Sequence, residues 1–339
     1  MRIVHVSNFT VKANGERFYS TEYKLNNGFT RLGHHVFSFS DRDIARSYLL
    51  GIRAAGRSFV NKKLQLVCRE LQPDLLVLGH AALISPATVK AIRSEYPAMR
   101  VAHWNCDSLS FAPRTVELLK TIGPVADATF VTTAGEILKT VSRSCGRTAY
   151  MPNPVDGSIE AGRAFEDPAP TADLVFVGSA DPERIALCKC IQAEVPGLKF
   201  EIRGMAGYPP VHGAELVKLL GGTRMGLALS RPNDAFLYSS DRVAQLMGNG
   251  VLTFIDARSG FDSLFAADEF VSFSGAEDLI SKLRKFKADD GARRDVAQRG
   301  WQKVHQSFSA TLVAKWIVET TFGLAPTEAY AWPTAVYGA

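Results

Sequence analysis

Residues able to grip a diphosphate cluster late in the chain, in Tyr238-Ser239-Ser240-Asp241-Arg242, which runs toward Gly248-Asn249-Gly250. A helix starting at Ser239 or Ser240 would offer an anion free backbone N–H groups and its positive dipole end. The hydroxyls and the Arg242 guanidinium would add further donors. Gln245 lies three residues beyond Arg242, near the same helical face, where its amide is within reach of a ribose hydroxyl. Ser-Ser-Asp is equally an ordinary helix start, so the motif by itself leaves capping and anion binding both open.

Ligands of open α/β sheets bind at the carboxyl ends of strands, which directs attention to the loops there. In the second half of the chain those loops are Gly178-Ser179, Gly204 after Arg203, Ser230-Arg231-Pro232-Asn233, and the segment around Tyr238. In the first half they are Asn8, His80 and Asn105-Cys106-Asp107-Ser108.

The elements that must position these residues follow from periodicity. Short apolar strands are expected at Arg2 to Ser7, His35 to Phe39, Asp74 to Gly79, Arg100 to Trp104, Ala128 to Thr132 and Ala149 to Met151. Helical stretches separate them, beginning with Thr21 to Leu32, which Gly33 stops. Strands alternating with crossover helices imply a parallel, doubly wound sheet. Proline and lost periodicity from Gly157 to Ala172 predict an interdomain linker. The pattern then restarts with strands at Asp173 to Gly178, Lys199 to Arg203, Met225 to Leu229 and Val251 to Ile255. A last helical region, Ala310 to Thr321, has no strand after it and is expected to pack back on the first domain. The tail from Ala325 has no regular period.

With 339 residues the chain exceeds what one hydrophobic core usually serves, so two domains are expected. Hydrophobic residues at 46% against 22% charged supply both cores and exclude a disordered chain. No run of eighteen apolar residues exists and Met1 to Phe9 lacks the parts of a leader, so a cytoplasmic, non-spanning chain is expected. Five cysteines without a CxxC pair indicate neither a disulfide framework nor a zinc site. The net charge of +5 is spread out, except that Lys282 to Arg294 gathers six basic residues in one expected amphipathic helical region. Such a run is either a solvated face or a peripheral contact with the anionic inner face of a membrane. Nothing resembles a groove-reading helix or an RNA-binding sheet, so no nucleic-acid partner is expected.

The order of these parts carries a resemblance. Two Rossmann-like halves, Pro152-Asn153-Pro154-Val155-Asp156 between them, and the late Ser-x-Arg-x-x-Gln-x-x-x-x-Gly of Ser240 to Gly250 look like a GT-B glycosyltransferase. More closely, the chain resembles the group named after the spore maturation protein CgeB, whose C-terminal domains are glycosyltransferase family 1/4-like. Phe18-Tyr19-Ser20, Asn27-Gly28-Phe29, Gly33-His34 and the closing Gly300-Trp301 to Phe308 extend the likeness over most of the chain.

The resemblance implies an α/β GT-B fold: two Rossmann-like domains facing across a cleft, with the C-terminal helix returning to the first. Residues 1–156 plus a returning helix at 310–325 would form the acceptor domain, 157–309 the donor domain and 326–339 a tail. It also implies a sugar transferase that uses a nucleotide sugar as substrate, UDP-linked in preference to GDP-linked, and needs no cofactor. Gly178 and Ser179 would lie near the diphosphate, Arg203 and Gly204 near base or phosphate, Ser239, Ser240 and Arg242 on phosphates, and Gln245 at the ribose, with Ser230 and Tyr238 also at the donor. The group usually has Glu where Gln245 stands, and Leu237 replaces the first Glu of a Glu-x7-Glu pattern, which puts base and sugar in doubt.

A saccharide, lipid-linked or protein acceptor would meet the first domain, at Asn8 and Asn105. In an inverting transfer Asp107 or His80 would take the acceptor proton, whereas in a retaining one the leaving phosphate can do so. Asp after a strand is also a common turn residue and His80 a local hydrogen-bonding group. Cys188 and Cys190 point to different helix faces and Asp41-Arg42-Asp43 has nothing phosphate-binding beside it, so no metal is expected, with Arg242, N–H groups and the dipole offsetting the diphosphate charge. Two other readings remain, a nucleotide-sugar epimerase of the same fold and a non-catalytic nucleotide- or glycan-binding protein.

Overall fold

The computed structural model describes residues 1–48, 53–205, 207–238 and 240–338, with the side chains of 53–55 left out. Two compact units divide the chain, Met1–Pro154 with Ala310–Ala339, and Val155–Ser309.

The first unit runs β1 (Arg2–Ser7), α1 (Thr21–Arg31), β2 (His35–Ser40), α2 (Asp41–Arg46), α3 (Arg53–Leu71), β3 (Leu75–Gly79), α4 (Pro86–Glu95), β4 (Arg100–Asn105), α5 (Pro113–Ile122), β5 (Ala128–Val131), α6 (Glu136–Cys145) and β6 (Thr148–Tyr150). Its strands pair in parallel in the order β2-β1-β3-β4-β5-β6. Every residue of β3 is buried, as a sheet covered on both faces requires. The strand order reverses between β1 and β3, and the crevice at such a switch point is where an open sheet takes ligands.

The second unit runs β7 (Ala172–Val177), α7 (Pro182–Glu194), β8 (Phe200–Arg203), α8 (Gly213–Gly221), β9 (Thr223–Ala228), α9 (Arg242–Gly248), β10 (Leu252–Asp256), β11 (Val271–Phe273), α10 (Gly275–Ala288) and α11 (Asp290–Ser307). Its parallel order, β8-β7-β9-β10-β11, has its own switch point between β7 and β9. Strand β11 was not expected from the sequence, because three residues carry too little periodicity. The segment expected as a linker instead folds onto this unit. Phe165 lies in its core, and Gly162 N and Ala164 N donate to Asn249, at its side-chain oxygen and its carbonyl. Proline removed the periodicity there without removing the packing.

The expected basic helical region is two helices, broken at Asp289, which caps α11 by accepting from Ala292 N. Most of its charge is engaged within the unit: Lys282 on Asp278, Arg284 on Glu194, Arg293 and Arg294 on Asp290. Among the described residues no helix is long and apolar enough to cross a membrane.

The chain then returns to the first unit through α12 (Ala310–Phe322), as expected, where the Trp316 indole N–H donates to the Tyr150 carbonyl at 2.9 Å. The tail, without periodicity in the sequence, is pinned by the buried Glu319 carboxylate, which accepts from Thr327 and from the Tyr330 hydroxyl. It ends in β12 (Val336–Tyr337), antiparallel to β6. Helices α1 and α12 meet at Gly28, where a Cβ would lie 2.2 Å from the Ala310 carbonyl oxygen and 2.9 Å from the Ala314 Cβ. Because the obstacle is backbone, Gly28→Ala is expected to destabilise the first unit by roughly 1–3 kcal/mol. Urea unfolding measures this, and unchanged stability would contradict the close crossing.

Candidate functional site

The carboxyl edge of the second sheet is assembled around two glycines. Gly178 follows β7 and Gly204 follows β8, and Gly178 N donates to the Arg203 carbonyl at 2.9 Å. Gly204 has φ +84°, a conformation that L side chains rarely adopt, and a Cβ there would stand 2.9 Å from the Gly178 carbonyl oxygen. A Cβ on Gly178 would in turn stand 2.7 Å from Arg242 Nη2. The backbone is bare here because a guanidinium occupies the space.

That guanidinium spans the switch point. Arg242 Nε donates to the Val177 carbonyl at the end of β7 (2.7 Å), and Nη1 donates to the Leu229 carbonyl just beyond β9 (2.6 Å) and to Ser240 Oγ (2.9 Å). Its plane lies over the Phe176 ring, 5.3 Å from the centroid. Arg184, on the first turn of α7, reaches the same edge, donating to the Ser179 and Leu229 carbonyls at 2.9 and 2.6 Å while pairing with Asp181 at 3.1 Å. Leu229 O therefore receives both guanidiniums. Among the described residues no carboxylate lies within ion-pair distance of Arg242. Burial and then the Arg184 charge push Arg242 down to about 9, and burial lowers Arg184 as well, against the pull of Asp181. Two crowded cations with one carboxylate between them form an edge that favours an incoming anion.

Neighbouring loops close around this pair. Ser230 N donates to Asn233 Oδ1 at 2.7 Å and Ser230 Oγ to the Tyr238 carbonyl at 3.2 Å. The buried Leu237 is held at φ +54° with its N–H on Ser259 O at 2.8 Å, a strained backbone for a bulky residue at the turn into the site.

Gly178, Ser179, Gly204, Ser230, Tyr238, Ser240 and Arg242 thus gather at one edge. Ser239 lies outside the described residues. The helix expected to begin at Ser239 or Ser240 begins instead at Arg242, after Asp241, and has seven residues. The Ser240 hydroxyl is bonded to Arg242, which holds it out of the helix. Positive charge at this edge accordingly comes from guanidiniums more than from a helix dipole. The Arg203 side chain pairs with Glu201 at 2.8 Å, leaving its backbone as its link to Gly178. The Gln245 amide donates to Asp241 Oδ2 at 2.9 Å.

In the first unit the structure brings His80 and Asp107 together, at the carboxyl ends of β3 and β4. Asp107 Oδ2 is 3.7 Å from His80 Nδ1, within ion-pair range, and accepts from the Thr115 hydroxyl at 3.4 Å. His80, at φ +45°, has Nε2 3.1 Å from Cys106 Sγ and meets the Trp104 ring edge-on at 5.2 Å. Asn105 Oδ1 accepts from Asp107 N at 2.8 Å, which fixes the turn presenting the carboxylate. His80, Asn105 and Asp107 line a cavity of about 530 Å³. Asn8 is apart from that lining, its buried side-chain oxygen lacking a hydrogen-bond partner among the described residues.

Comparison with known proteins bears on the fold. A family model described as glycosyl transferase-like matches residues 184–318. No curated protein matches the sequence. Among solved structures, sucrose-phosphate synthase from Thermosynechococcus elongatus superposes with a TM-score of 0.59 at 13% identity, covering 94% of this chain and 98% of its own. HepE of Anabaena in complex with UDP and glucose gives 0.59 at 12% identity, over 96% and 100%. The E. coli trehalose-6-phosphate protein bound with UDP-2-fluoro glucose gives 0.61 at 12% identity, also over 96% and 100%. The fold is GT-B. In this GT-B chain the glycosyl transferase-like match starts at Arg184, one of the two cations at the switch point.

Sequence reading missed Arg184. Its signal was Asp181-Pro182-Glu183-Arg184, a helix start in which Asp181 accepts from Arg184 N, too common to suggest a buried cation. Asn233 was read only as part of its loop, and its side chain is what holds Ser230. Gly178→Ala is expected to displace the Arg242 guanidinium and lower the thermal unfolding midpoint. Gly221→Ala, with nothing within 4 Å of its Cβ, should leave the midpoint unchanged or slightly raised. Equal midpoints for the two variants would contradict the packing of Arg242 on Gly178.

Proposed function

We propose that the chain transfers a sugar from a nucleoside-diphosphate donor, UDP-linked in preference to GDP-linked, to an acceptor bound by the first unit. The observation that carries this is the pair of guanidiniums, Arg184 and Arg242, at the β7/β9 switch point, short of carboxylate partners and flanked by bare glycine backbone. A diphosphate suits that place because its charge offsets the crowding of the two cations, and its oxygens accept from N–H groups already oriented. The glycosyl transferase-like match and the UDP in the HepE structure support the same reading. The order of motifs favours the CgeB-like group within it.

In the transfer an acceptor hydroxyl attacks the anomeric carbon, the bond from that carbon to the phosphate oxygen breaks, and the nucleoside diphosphate leaves with the electron pair. His80 and Asp107 stand as the pair that takes the hydroxyl proton, the carboxylate orienting and charge-balancing the imidazole. Charge on the leaving group falls on Arg242 and Arg184. We read the reaction as metal-independent on the chemistry of this edge, since two guanidiniums stand where charge on the leaving diphosphate develops.

A panel of UDP- and GDP-sugars added during thermal unfolding tests the donor. The cognate donor at a hundred times its Kd is expected to stabilise the chain by about 2.7 kcal/mol. Arg242→Lys, which keeps charge but loses the fork across both strands, should abolish most of that gain. No shift with any donor would contradict the reading, and a shift without nucleotide release to any acceptor would make the chain a binding protein.

A further inference from the structure

The cavity beside His80 and Asp107 has a charge composition that a neutral sugar does not explain. Three arginines line it from three separate helices, Arg42 on α2, Arg57 on α3 and Arg114 on α5. Among the described residues none of these guanidiniums is within ion-pair distance of a carboxylate. The two carboxylates in the same lining are already engaged: Glu117 pairs with Lys120 at 3.1 Å, and Asp107 faces His80 and Thr115. The buried Asp41 beside Arg42 feels its charge but forms no ion pair with it, and three arginines lining one concavity without ion-pair partners make a receptor for a multiply charged anion. At about 530 Å³ the cavity holds a ligand of sugar-phosphate size, well above what a bare phosphate fills.

We propose that this cavity binds a phosphorylated monosaccharide as the acceptor, its phosphate held by Arg42, Arg57 and Arg114 and a hydroxyl turned to the His80–Asp107 pair. This names the acceptor class of the sugar transfer and rests on that reading. The arginines fix the phosphate, and the pair lines the same cavity, so one ligand can reach both. Selectivity would follow from charge. A neutral sugar leaves three guanidiniums without a counterion, whereas a phosphate monoester supplies close to two negative charges at neutral pH.

The test uses the full chain without donor, titrated calorimetrically with hexose monophosphates, the matching neutral hexoses and inorganic phosphate, and separately with UDP. Hexose monophosphates are expected to bind, at least one of them tenfold or more tighter than inorganic phosphate, with neutral hexoses below detection. Arg114→Gln and Arg42→Gln should each weaken hexose-phosphate binding at least tenfold while UDP affinity stays within twofold and near-UV circular dichroism is unchanged, which together show that both units fold. Absence of hexose-phosphate binding, equal affinity for inorganic phosphate, equal affinity for neutral hexoses, or indifference to the arginine variants would each overturn the proposal. Hexose-phosphate binding in a chain that ignores UDP would instead leave this site standing and remove the donor reading.

Discussion

One side chain organises the second unit. Arg242 bonds the carbonyls of Val177 and Leu229, so two neighbouring strands that diverge into different loops are tied at the point where sheet order reverses. Gly178 is a glycine because Arg242 fills the place of its Cβ, and Gly204 because Gly178's carbonyl approaches closely under a left-handed backbone. Ser240 stays outside the helix because its hydroxyl belongs to the same network. The geometry of four loops is thus a consequence of where one planar cation was put.

Such an arrangement has an electrostatic cost. A guanidinium bonded to carbonyl dipoles, next to a second guanidinium and with no carboxylate at ion-pair distance among the described residues, is held by geometry more than by charge balance. Strain accompanies it at Leu237, a buried aliphatic residue at φ +54° beside the same loop. Protein sites that keep such costs commonly use them on a ligand. An anion with two phosphates is the complement we propose for this edge, and the seven-residue α9 adds only a modest dipole to the attraction.

Much of the fold was legible in the sequence because parallel strands buried on both faces are written as apolar runs, and those runs are spaced by helices. The short β11 and the two-residue β12 carry no such pattern, and Phe165 and Trp332 show that irregular, proline-bearing segments can still be buried. Residues read from the loops after strands and from the start of α9 do meet in the fold: Gly178, Ser230 and Arg242 converge, as do His80 and Asp107. What one dimension could not hold was which side chains meet. Arg184 lies far from Arg242 in the chain and shares its carbonyl at Leu229. Arg42, Arg57 and Arg114 reach one cavity only after β2, β1, β3 and β4 are laid side by side. The start of α9 was misread because a serine bonded to the guanidinium two residues on looks in sequence like a cap.

The central claim is that a diphosphate belongs on Arg242. The arginine side-chain N–H resonances of the isotopically labelled chain, with the Arg242 signal identified by its loss in Arg242→Lys, report on that contact during titration with UDP and, in parallel, with uridine. The account predicts that UDP moves the Arg242 Nε–H resonance in a saturable way and that uridine, which lacks the diphosphate, leaves it in place. An unmoved Arg242 resonance at saturating UDP, or an equal movement with uridine, would contradict it.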